Sequence, residues 1–162
     1  MYRGDYALAR QQFEQSLRLF EEIETVHVML ITANVFGRLL LRMGEVEEAR
    51  NRFRRNLALA RESGRRQAIA NALAGLAMVD VRTQHFERAA ELFATAQALR
   101  ASAGLVATPF EQAEEERHIA PLRSRLADAA FESIWTRGTA MDMDEAIQRA
   151  EVETAAGMTR EP

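Results

Sequence analysis

The densest cluster of ionisable groups lies in "PFEQAEEERH", residues 109–118, where Glu111, Glu114, Glu115 and Glu116 stand close together. Clustered carboxylates can ligate magnesium or divide acid and base roles between them. Here Glu111 and Glu115 fall one helical turn apart on one face, and no second acidic cluster completes a coordination shell. Acids early in a helix also complement its positive end. A solvated helix face is therefore expected, not a metal site. His27, His85 and His118 are widely separated, with no carboxylate at metal-ligand spacing. Solvated or capping roles are expected of them. No nucleophile–base pair is discernible, and the absence of cysteine excludes disulfides and thiolate chemistry. Neither catalysis nor a cofactor is expected.

The elements that carry these groups follow from composition. A chain of 162 residues, 48% hydrophobic and 28% charged, suits one globular domain. Ala, Leu, Arg and Glu dominate and strand formers are sparse, which implies an all-α fold. Lysine is absent, and all 21 basic residues are arginine. A net charge of −3 gives no general attraction to phosphate backbones, so no direct nucleic-acid partner is expected. No apolar run is expected to span a membrane, and the acidic early residues are unlike a signal peptide. The expectation is a cytoplasmic protein without a membrane partner.

The order of the helices is written in a repeat. Ala9, Ala49 and Ala89 recur at a forty-residue interval, as do Phe13, Phe53 and Phe93, and Leu19, Leu59 and Leu99. Tyr6, Val46 and Phe86 keep the same interval as bulky apolar residues. A fixed period of this length marks stacked supersecondary units. Val46, Ala49, Phe53, Leu57 and Ala60 follow 3-and-4 spacing and fall on one helix face. Gly44 suits a left-handed helix end before them. The preceding helix is expected over residues 26–43, with Ile31, Phe36, Leu39, Leu40 and Met43 inside. The next pair is expected over 66–83 and 85–103. Asp80 takes the position of Leu40 and is expected at the edge of the stripe, paired with an arginine.

These residues resemble the tetratricopeptide repeat. Gly37, Gly44, Val46, Ala49 and Phe53 match its pattern, and Ala77, Gln84, Phe86, Ala89 and Phe93 match it with the turn glycine lost. The resemblance implies a right-handed superhelix of antiparallel helix pairs over residues 1–104, with the first repeat incomplete. Tyr6, Phe13, Leu17 and Phe20 in that first copy form an apolar stripe short of its natural cover. A homodimer or an upstream domain is expected to pack on it, since each such side chain is worth roughly 1.5–3 kcal/mol when buried.

Residues 105–154 are expected to form a helical C-terminal cap. Thr108 and Pro109 give a helix start, Pro121 is expected to break or kink that helix, and Asp142 with Glu145 has capping-box spacing. Phe131 and Trp135, one turn apart, are expected to pack the tail onto the last repeat. Residues 155–162 are expected to be a disordered tail. The tail resembles the carboxyl end of large bacterial signal-transduction ATPases, including LuxR-type transcription activators. The matching residues are Ala89, Ala90, Leu92, Phe93, Ala96, Leu99, Arg100, Phe131, Trp135, Gly138, Met141, Glu145 and Ala146, and Pro121 departs from the pattern. The phosphate loop of that family has no counterpart here, so the resemblance implies only the sensor or partner-binding arm.

In a stack of helix pairs the first helix of each pair lines the concave side. The residues expected to face a protein or peptide partner there are Asn34, Arg38, Arg42, Asn71, Met78 and Arg82. Their amides and guanidiniums suit a peptide backbone or a carboxylate. Replacing Arg38 and Arg42 by alanine is expected to weaken binding with little change in stability. Two other readings stand beside this one. A peptide or small-ligand sensor would change oligomeric state on binding, and a helical enzyme would need a dry cavity lined by two acid clusters. An open groove lined by Asn34 and Arg38 favours the interaction module.

Overall fold

Four helix ends in this chain close in the same way. Gly44, Gly64, Gln84 and Gly104 stand twenty residues apart, and each turns the backbone left-handed, with φ of 86°, 63°, 65° and 65°. The residue after each donates its N–H back over the helix end. Glu45 reaches the Leu40 carbonyl at 2.9 Å, Arg65 that of Ala60 at 3.0 Å, His85 that of Asp80 at 2.8 Å and Leu105 that of Arg100 at 2.8 Å. Each closure satisfies a carbonyl that a helix end would otherwise orphan. The lost turn glycine is thus lost in sequence only: Gln84 takes the glycine conformation.

The computed structural model describes residues 3–22 and 25–152. Between and around these closures run α1 (Arg3–Glu22), α2 (Val26–Met43), α3 (Val46–Glu62), α4 (Arg66–Arg82), α5 (Phe86–Ser102), α6 (Pro109–Arg125), α7 (Asp128–Ala140) and α8 (Met143–Glu151). No strand occurs among the described residues. Consecutive helices from α1 to α5 pack on one another, and α2 also meets α4. This is the stack of antiparallel pairs expected from the period. Residues 155–162, expected to be a disordered tail, lie outside the described residues.

Alanine and phenylalanine at the repeat positions set the spacing of the layers. Ala49, Phe53, Leu57 and Ala60 are buried as expected, and so are Ala89 and Phe93. The Phe53 ring lies between α2 and α4. A Cβ built on Gly37 would come within 2.6 Å of it, and one on Gly75 within 2.3 Å. Both glycines are therefore required by close approach. In the first copy Phe13 stacks on Phe36 with ring centroids 5.5 Å apart. Leu17 is buried, while Tyr6 and Phe20 are half-buried, so α2 gives this stripe much of the cover it was expected to lack. The exposed large apolar residues of α1 are instead Leu8 and Leu19.

Several expectations need correction. Ile31 is exposed, not inside, because it points into a groove described below. The α2 helix, 18 residues long, does pass the length and apolarity test for a membrane span, contrary to the sequence reading. Its Phe36, Leu40 and Leu41 belong to the core shared with the neighbouring helices. Pro121 does not break α6, which continues to Arg125; the break falls at Leu126 and Ala127. Pro121 and Arg117 are both exposed, so water can satisfy the carbonyl that the missing N–H leaves free.

The cap departs from the repeat. On α5, α7 takes the place that the next first helix would fill, while α6 swings across α4. A Cβ on Gly138 would meet the Glu91 carbonyl at 2.5 Å, so α7 lies directly on the α5 backbone. Phe131 is buried and stacks on Trp135, with centroids 5.3 Å apart. Short α8 begins at Asp142, whose carboxylate accepts the Glu145 N–H at 2.8 Å.

Candidate functional site

The concave side is built by α2 and α4, and α6 lies along part of it. Thr108 starts α6 as expected: its hydroxyl accepts the Glu111 N–H, and the Glu111 carboxylate accepts the Thr108 N–H at 2.8 Å. That capping box fixes the phase of the helix, so Glu111, Glu114 and Glu115 face inward toward α2, α4 and α5. The expectation of a solvated acidic face is overturned for two of them. Glu114 and Glu115 are buried, and arginines are their partners.

Glu114 joins the tail to the second helix. Its Oε2 accepts from Arg38 Nη1 at 2.6 Å and its Oε1 from Arg42 Nη2 at 2.8 Å. Burial alone pushes the Glu114 carboxyl up, yet the hydrogen bonds and charge of Arg38 and Arg42 outweigh it and hold the group below its ordinary value. Glu115 forms a two-pronged pair with Arg100, at 2.7 and 3.0 Å. Asn71 ties the second pair to Glu111: its Oδ1 accepts from Arg100 at 3.1 Å, and its Nδ2 donates to Glu111 Oε1 at 3.1 Å. Sequence reasoning missed Arg100 and these acids as a unit. The signal available was a pair of arginines one turn apart on α2, Arg38 and Arg42, which converge on the single acid Glu114 of α6.

The six residues expected in the groove therefore divide. Arg38 and Met78 are buried under α6, and Asn34 is buried in the floor of the open part. Asn71 is half-buried in the network, whereas Arg42 and Arg82 remain exposed. The double substitution of Arg38 and Arg42 would now be destabilising, because it leaves the buried Glu114 unpaired.

Where α6 does not reach, the concave side stays open. A groove of about 690 Å³ runs between α2, the start of α4 and the segment joining α5 to α6. Ile31 and Val35 form one wall and Leu105 and Val106 the other. Asn34 Oδ1 and Gln67 Oε1 are buried there without a hydrogen-bond partner among the described residues. Arg65 and Arg66 stand exposed at the rim. Chemically, the groove offers apolar walls, two buried acceptors and a basic rim.

Away from the concave side, Asp80 is buried at 1% exposure, not at the stripe's edge. It does pair with an arginine, accepting from Arg88 Nε at 2.7 Å, and Arg88 also donates to the Val152 carbonyl at 2.6 Å. Glu91 is buried between Arg137 and Arg149, the latter at 2.9 Å. These contacts pin α7 and α8 to the repeats. His85 lies at the start of α5 beside the Thr83 hydroxyl, and His118 Nδ1 donates to the Glu114 carbonyl at 2.8 Å. Among the described residues, no group of three or more His, Asp or Glu is placed to hold a metal ion.

The family described as tetratricopeptide repeat matches residues 1–62 and again 28–102, together well over half of the chain. No curated protein and no solved structure matches it.

Proposed function

Because the chain belongs to the tetratricopeptide-repeat family, we propose that its partner is a protein or peptide segment seated in the open groove beside α2. Repeats of this kind are protein-binding rather than catalytic modules. One observation carries the choice of groove. Ile31, Val35 and Val106 are 52%, 43% and 78% exposed around a floor that contains an unpartnered buried amide oxygen. Exposed apolar walls gain by taking up apolar side chains, and a peptide N–H would satisfy Asn34. The rim arginines favour acidic residues flanking the apolar ones.

The resemblance of the tail supports a narrower reading, that the chain is the interaction arm of a bacterial signalling or transcription regulator working in the cytoplasm. The exposed Leu8 and Leu19 on α1 offer a surface for a second copy, which supports the sensor reading in which binding changes oligomeric state.

Selection of random peptides against the wild-type protein tests the groove. Selected sequences should share apolar residues and lose at least tenfold in affinity for Ile31→Asp. That variant should keep its melting temperature, since Ile31 is exposed. Peptides that bind both proteins equally would place the site elsewhere.

A further inference from the structure

We propose that a second, separate pocket between α2, α4 and α6 binds a phosphate-class oxyanion. The pocket has a volume of about 160 Å³ and is lined by Arg38, Arg42, Arg82, Arg117, His118 and Glu114, over Leu41 and Met78. Four guanidiniums thus face one carboxylate in a chain whose net charge is −3. Like charges gathered in a recess raise its potential and draw anions to it.

Glu114 shows what a single carboxylate can satisfy here. Each of its oxygens takes one guanidinium, from Arg38 and from Arg42. The remaining donors are in excess. Arg82 has no hydrogen bond or ion pair among the described residues, and Arg117 reaches only the Ala113 carbonyl, through Nε at 3.2 Å. Arg38 is itself buried, and its Nε and Nη2, without partners among the described residues, are closed off from the pocket, so its charge acts there while the free donors are those of Arg42, Arg82 and Arg117. Arg42 and Arg82 stand at equivalent positions of successive repeats, so the stacking itself sets them side by side. Arg42 is further steadied over the Phe110 ring, 5.7 Å from its centroid.

A second carboxylate would use only two of the free donors. A phosphate presents more oxygens and more charge, which suits guanidiniums arriving from three helices. The volume equals that of roughly five liquid waters, room for one orthophosphate or one phosphate monoester. The ligand can be free phosphate or a phosphorylated side chain, because both present the same group.

The test is calorimetric titration of the full chain with orthophosphate, at constant ionic strength and with chloride as control. One saturable site is expected, and Arg82→Gln with Arg117→Gln should weaken it at least tenfold. Both arginines are exposed, so the melting temperature of the unliganded double variant should match wild type. A phosphoserine tripeptide and its unphosphorylated twin form the second arm. Tighter binding of the phosphorylated tripeptide assigns the site to a modified side chain, and preference for orthophosphate assigns it to the free anion. Binding no stronger than that of chloride, or unaltered in the double variant, overturns the proposal. The Ile31→Asp variant should bind phosphate normally, so failure of the groove reading and failure of this one are distinguishable.

Discussion

Glu114 in α6 lies 2.6 Å from Arg38 in α2, and both side chains are almost wholly removed from water. Taking both charges out of solvent is costly, and the pair is tolerable only while each has the other. Glu114→Gln should therefore destabilise the fold by about 3 kcal/mol. Arg42→Ala should cost at most about 1 kcal/mol, because Arg42 keeps much of its exposure. Urea unfolding of the two variants beside wild type checks the ranking, and equal losses would contradict it.

The same pair predicts a pH response. The Glu114 carboxyl is held below its ordinary value of 4.5 in the folded chain. Its contribution is complete above that value and is lost as pH falls through the lower folded one. The stability gap between wild type and Glu114→Gln should stay constant from pH 7 to about 5 and shrink in more acid solution. A gap that widened on acidification would reverse the sign of the argument.

Gly75→Ala should destabilise despite alanine's better helix propensity. The new methyl would stand 2.3 Å from the Phe53 ring, which is buried and has nowhere to move. Overpacking of this kind costs roughly 1–3 kcal/mol, more than the gain of about 1 kcal/mol from propensity. Pairing it with Phe53→Leu should recover part of the loss, as a double-mutant cycle would show.

Gln84→Gly should stabilise. Gln84 is the one non-glycine described residue with positive φ, at 65°, a conformation that burdens any side chain with a Cβ. Relief of about 1 kcal/mol should raise the melting temperature by roughly 2–4 °C. No change would mean that the glutamine side chain makes compensating contacts.

The repeat was legible in the sequence because Ala49, Phe53, Ala89 and Phe93 are dictated by helix-on-helix packing, which leaves a periodic trace. The Thr108 start was equally plain, since capping is local. Pro121 misled because the rule against proline assumes a carbonyl with no alternative partner, and exposure supplies one. The fate of Glu114 depended on where α6 folds back, a distance of more than seventy residues from Arg38, whereas the partner of Glu115, Arg100, lies only 15 residues back across the α5–α6 turn. Nothing local distinguishes a carboxylate facing water from one facing an arginine that far away. Ile31 misled for the opposite reason: it is apolar and sits in the interior rhythm, yet the side of α2 it occupies was left uncovered.

Because every inner helix ends on the same left-handed step after the same twenty residues, whole forty-residue cassettes could be added or deleted without disturbing any closure. Between α2 and α6 the tail forbids it. Insert one hairpin, and Glu114 would come to rest a layer away from Arg38 and Arg42 while Glu115 still met Arg100. The last three helices thus act as a ruler for the stretch from α2 to α5, holding it at two hairpins.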